Sequence, residues 1–112
     1  MKNFREKLSD EEFTDIIDER IKSIYSSLHT KGKEYRRNND ALFNFNEGSK
    51  DLNITREKFL LHLVWKQICS VKDIINDLDD EKLPTEYMID EKIGDVINYC
   101  ILLEASLKQR IK

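Results

Sequence analysis

One proline and three glycines in 112 residues leave few obligatory turns, so the chain lacks the punctuation that a sheet of short strands needs. No apolar run approaches the roughly 20 residues required to span a bilayer, and the start "MKNFREKLSDEEF" lacks the apolar segment of a signal peptide. A soluble, cytoplasmic protein with no membrane partner is the expectation. Positive charge is not in excess: 19 Lys and Arg face 22 Asp and Glu, for a net charge of -3. A general nucleic-acid coat is thereby disfavoured, because such binding needs many unopposed cations on phosphates. Cys69 and Cys100 form no CxxC pair and sit in apolar helical runs, where free cysteine packs as a small hydrophobe. His29 and His62 have no Cys or second His at ligand spacing, which argues against zinc. No Gly-rich phosphate loop and no nucleophile motif occur.

What is present is a charged fraction of 37% beside a hydrophobic fraction of 39%, a balance that favours helices with solvated faces. The length suits one domain, residues 1–112, with an N-terminal tail over 1–8 and no internal repeat. Ser9 with Glu12 is a capping-box pattern, and Phe13, Ile16, Ile17, Ile21, Ile24 and Leu28 follow at helical spacing. The spacing predicts a helix over about 10–29. "TKGKEYRRNND" then interrupts the pattern as the one concentrated basic loop, and "ALFNFNEGSK" predicts a short helix ending near Gly48. From Arg56 to about Leu78, Leu60, Val64, Val71, Ile75 and Leu78 make a stripe that Leu61, Trp65, Ile68 and Ile74 widen. So broad an apolar face must be covered on more than one side, which predicts a homo-oligomer. Pro84 breaks the chain and Thr85 can cap a last helix over about 86–110, with a core stripe of Ile89, Ile93, Val96, Cys100, Leu103 and Leu107. The fold class predicted is all-α: a compact bundle of three long helices plus a short one.

Certain residues break these stripes. At 100° per residue Glu91, Asp95 and Asn98 share a narrow strip at the border of the last helix's apolar face, and Lys92 and Tyr99 lean further into it. Gln67 lies between Val64 and Val71 on the preceding helix, flanked by Lys66, and a buried amide there needs a hydrogen-bond partner. Exposed ion pairs and an internal cap would account for these residues one by one. Together, with a basic loop nearby, they match the description of a small-ligand site. Glu11 and Asp15 repeat the spacing of Glu91 and Asp95, so two such pairs on facing helices could hold Mg²⁺, or the first pair could simply complement the helix dipole. Trp65, Phe43 and Phe45 suit either base stacking or core packing.

Three segments carry a family resemblance. "KGKEYRRNNDALFNF" resembles the "K..DYG...DPL.NF" segment of the nucleotide modification associated domain 1 family, common in phages and prophages and related to the all-α NTP pyrophosphohydrolases (MazG-like and dimeric dUTPase-like). "WKQICSVKDII" is similar to that family's "KHL.AI" helix, and "DEKIGDVINYCILL" to its closing "D.INYL.LL" helix. The resemblance spans about residues 20 to 107. It implies a MazG-like bundle in which Glu34, Tyr35, Asp40, Asn44, Phe45, Lys66, Gln67, Asp95, Asn98 and Tyr99 converge on a nucleotide pocket.

The sequence departs from the hydrolase relatives where they bind metal. They carry a Glu-x-x-Glu and a Glu-x-x-Asp pair around Mg²⁺, whereas here Lys92 replaces a glutamate and "WKQICS" supplies no carboxylate pair. The leading expectation is therefore a phage-type protein that binds a nucleotide or nucleotide-derived signal without hydrolysing it, which would suit either sequestration of a host defence signal or the handling of modified nucleotides. In this reading Lys33, Arg36, Arg37, Lys66 and Lys92 meet phosphates, Asn44, Gln67, Asp95 and Asn98 read base or sugar, and Tyr35, Phe45 or Tyr99 stacks. No cofactor is needed. The alternatives are a Mg²⁺-dependent nucleoside triphosphate pyrophosphohydrolase using Glu91 and Asp95 with acids of the first helix, and a helical module that binds another protein.

Overall fold

The computed structural model describes residues 7–30, 32 and 36–112. Most of the tail, and Lys33, Glu34 and Tyr35 from the expected binding set, lie outside the described residues. Four α-helices account for most of what is described: α1 (Asp10–Tyr25), α2 (Phe43–Leu52), α3 (Arg56–Asp77) and α4 (Glu86–Arg110). Among the described residues the only extended pairing is a bridge between Arg37 and Asp40.

Each helix starts where its local chemistry directs. Ser9 and Glu12 form the reciprocal capping box of α1, and Thr55 and Thr85 accept from the backbone N–H three residues on to cap α3 and α4. The first helix ends earlier as an α-helix than its periodicity predicts. From Ser26 to Thr30 it widens into a π-helical turn, which swings the chain toward the basic loop. Asn38 and Asn39 both take left-handed backbone (φ 55° and 57°), closing a tight turn in which the Asp40 N–H donates to the Arg37 carbonyl at 2.9 Å.

The expected stop at Gly48 does not occur, because α2 runs on to Leu52 and ends at Asn53 in the left-handed region. Gly48 serves packing instead. A Cβ there would sit 2.6 Å from Cζ of Phe59, so the missing side chain is what lets α2 lie against α3. Phe45 completes the contact, 6.5 Å from the ring centroids of both Phe59 and Tyr99, edge-on to the latter, so one aromatic side chain ties α2 to α3 and α4.

Helices α3 and α4 form the main hairpin, α2 packs on α3, and α1 leans on α4. Leu42, Leu60 and Val64 are the buried hydrophobic side chains, with Ser49, Ser106 and Gly94 buried beside them. This core is smaller than the stripes predict. Ile75 is 56% exposed, and of the α4 stripe Ile89 and Leu107 are largely exposed while Val96 and Leu103 are half-buried. Both cysteines are exposed, correcting their expected burial: Cys69 and Cys100 lie on flanks of α3 and α4 that no other helix among the described residues covers. What α4 turns inward is a strip four residues apart, the small or polar Gly94, Asn98 and Ser106 with Leu102 among them.

A clasp of charged side chains locks the open ends of these helices. Arg56 donates through Nε to the Ser106 hydroxyl at 2.6 Å, through Nη1 to Asn46 Oδ1 at 3.0 Å and through Nη2 to Gln109 Oε1 at 2.7 Å. The Ser106 hydroxyl donates to Glu57, which also accepts from Arg110 Nη2 at 2.7 Å and Nε at 3.0 Å. The Arg110 guanidinium and the Ser106 hydroxyl hold the Glu57 carboxyl down at about 2. On the far side Asn46 Nδ2 donates to Asp40 Oδ2, and Asp40 Oδ1 accepts from the Leu42 N–H, each at 2.9 Å. One hydrogen-bonded chain thus runs from α4 through α3 and α2 to the loop.

Candidate functional site

The loop that this chain anchors forms one wall of a cavity of about 320 Å³. Ser27 and Leu28 from the π-helical turn, Arg36 from the loop, and Leu42 and Phe45 from the start of α2 face Asp95, Asn98, Tyr99 and Leu102 from α4. The volume is at the lower end of the roughly 300–1,000 Å³ usual for small-molecule sites. Its lining is chiefly apolar, with Phe45 and Tyr99 supplying aromatic surface and Arg36, Asp95 and Asn98 the polar groups. A second, polar cleft of about 410 Å³ adjoins it, sharing Arg36 and Ala41 and adding His29, Asn39 and Asp40. Arg36 stands between the two chambers, its guanidinium donating to the His29 carbonyl.

Two features of the cavity do not follow from packing. Asn98 Oδ1 is buried and accepts no hydrogen bond among the described residues. An unmade bond to a buried carbonyl costs on the order of 1–3 kcal/mol, so this atom is kept against the interest of stability. Asp95, one turn before it, has its carboxyl pushed above the ordinary range, first by burial and then by the charge of Glu91, with Lys92 acting in the opposite direction. Asn98 Oδ1 thus stands ready to accept from a donor that the described residues do not supply. Chemically, the cavity offers one buried carbonyl acceptor, a partly desolvated carboxyl and aromatic surface.

Of the residues singled out in the sequence, Arg36, Phe45, Asp95, Asn98 and Tyr99 line this cavity. The others stand elsewhere. Asp40 spends both carboxylate oxygens on the Leu42 N–H and Asn46, and shapes the wall of the polar cleft. The Arg37 guanidinium lies 5.8 Å from the Phe43 ring centroid, facing that ring. Asn44 and Lys66 are exposed, and Gln67 is half-buried on α3 outside the cavity lining. Lys92 is half-buried and reaches the site only through its field on Asp95. Trp65, a stacking candidate, is 58% exposed, with the Lys72 ammonium 5.8 Å from its ring centroid.

Glu91 and Asp95 are close enough to influence one another, and the Tyr87 hydroxyl hydrogen-bonds to Glu91, which raises its pKa. Among the described residues no group of three or more His, Cys, Asp or Glu is placed to hold a metal ion, so Glu11 and Asp15 do not join that pair in such a cluster. No family model, curated protein or solved structure matches this chain. Its site is read from its own side chains.

Sequence reasoning missed the clasp that builds the cavity wall. Arg56 and Glu57 look like the solvated first turn of a helix, and Ser106 like a neutral filler. The one signal was the strip of Gly94, Asn98 and Ser106, small or polar residues spaced by four and eight on one face of an apolar helix.

Proposed function

We propose that this protein binds a nucleotide or nucleotide-derived small molecule and retains it without hydrolysis, as the resemblance to phage nucleotide-handling proteins also suggests. The observation that carries the reading is the buried, unpartnered Asn98 Oδ1 beside a desolvated Asp95, in a cavity walled by Phe45 and Tyr99. A base stacked on the aromatic surface gives its exocyclic and ring N–H groups to that pair. The sugar and phosphate then extend past Arg36 into the polar cleft. Lys92 and the carboxylate-free segment "WKQICS", standing where the hydrolases it resembles carry their metal ligands, support retention over turnover.

The test is chromatography of a mixed nucleotide pool, cyclic and NAD-derived species included, incubated with protein and Mg²⁺ and sampled before and after heat denaturation. Depletion of one species that returns intact on heating is expected, and Asn98→Leu should abolish it. Conversion to a monophosphate with pyrophosphate would establish the hydrolase instead, and an unchanged pool would remove the nucleotide reading.

A further inference from the structure

Helix α1 has sixteen residues and buries none of them. Phe13, Ile16, Ile17 and Ile21, at helical spacing, are 54%, 52%, 43% and 58% exposed. Between this face and α4 lies a groove of about 820 Å³ floored by Ile16, Ile17, Ile21, Ile89, Ile93 and Ile97. The hold of α1 on the body is slight: Arg20 Nη2 donates to the Asp90 carbonyl at 3.2 Å, and the guanidinium rests where Gly94 has no Cβ. A helix of this length does not persist in water on its own propensity, so its apolar stripe needs a cover.

The surface area states how much cover is missing. The chain exposes 9097 Å², whereas the scaling law for folded monomers gives roughly 6,500 Å² for 13.3 kDa. Its radius of gyration is 16.9 Å, against roughly 13 Å for a compact domain of this length. Even a third of the excess area equals the roughly 800 Å² that one partner contributes to a standard interface. The rim charges indicate what fits. The acids of α1 run from Asp10 to Glu19, and its cations Arg20 and Lys22 sit at the other end. Two α1 helices set antiparallel bring Lys22 of each toward the acidic half of the other, whereas a parallel pair would stack acid on acid.

We propose that the α1/α4 groove is the seat of a second copy of this chain, related by a two-fold axis that crosses near Ile17 with the α1 helices antiparallel. This face differs from the one the sequence suggested, the broad apolar face of α3 from 59 to 78, which includes Leu61 and Trp65. It also bears on the cavity, since Ser27 and Leu28 are carried on the continuation of α1.

The test is sedimentation of the full chain over a range of micromolar concentrations. The wild type and Leu61→Glu/Trp65→Glu should sediment as dimers or larger, and Ile17→Glu/Ile21→Glu should weaken association at least a hundredfold while keeping the far-ultraviolet helical signal of α2 to α4. In a Cys69→Ser/Cys100→Ser background, Ile17→Cys should form an intermolecular disulfide and Ile75→Cys should not, a readout that does not depend on folding of the glutamate variant. A wild type that is monomeric throughout overturns the proposal and leaves the groove to a partner of another sequence. Dissociation by the α3 pair alone, or cross-linking only at Ile75, overturns it in favour of the α3 face.

Discussion

Helix α1 and the α2–α3–α4 body are written in the same periodic code, yet they are held in opposite ways. In the body a small apolar core is joined by a clasp in which Arg56, Ser106 and Glu57 are satisfied by several hydrogen bonds each. At α1 a longer apolar stripe is left largely open, and among the described residues Arg20 makes the polar attachment to α4. The difference shows that an apolar stripe states a demand for burial without naming what meets it. The body meets that demand within the chain, and α1 reaches outside.

Perturbations that sever the clasp should act globally, and those at α1 locally. Arg56→Ala leaves Glu57, Ser106 and Asn46 short of a partner in a half-buried site. It should cost about 3 kcal/mol, on the order of 10 °C in melting temperature by calorimetry, with all helices lost together. Gly48→Ala gains helix propensity but drives a methyl into the Phe59 ring, and should destabilise by about 1–2 kcal/mol in urea titration; a gain would show that Phe59 can swing aside.

Acid should dismantle the clasp before it affects α1. Glu57 is held at about 2 against an ordinary 4.5, so its contribution is complete above pH 4.5 and disappears as pH falls toward 2. Melting temperature should therefore drop through that window, and Glu57→Gln should flatten the drop while lowering the plateau. At the cavity the sign reverses. Asp95 is raised, so its ionised form burdens the unliganded fold, and Asp95→Asn should melt higher by calorimetry while losing ligand. A variant that is both less stable and still able to bind would remove Asp95 from the site. The smallest effect belongs to Arg20→Ala, where amide exchange should accelerate in α1 with α3 and α4 unchanged.

Much of this architecture was legible beforehand because it is local. The capping box at Ser9, the caps at Thr85 and before α3, and the periods of α1, α3 and α4 all rest on contacts three or four residues apart. Part of the cavity was legible too, since Asp95, Asn98 and Tyr99 stand out as polar residues in an apolar helix. Arg37, Asn44 and Lys66 were equally plausible on charge and spacing, and only the rotation of their helices and loop turned them away. The continuation of α2 past Gly48 was hidden because the reason for that glycine is Phe59, eleven residues away on another helix.

By itself, then, the sequence determined that this is an all-α chain, where its helices begin, and that no helix among the described residues is long and apolar enough to cross a membrane. Local hydrogen bonds and side-chain periodicity act within a turn or two and need no knowledge of the partner. The tertiary structure alone decided that Ser106 would be the hub of a clasp spanning fifty residues, that Asn98 would be left wanting a donor, and that α1 would keep its isoleucines in view. Burial and polar satisfaction depend on which helix lies opposite, and that is a property of the folded chain as a whole.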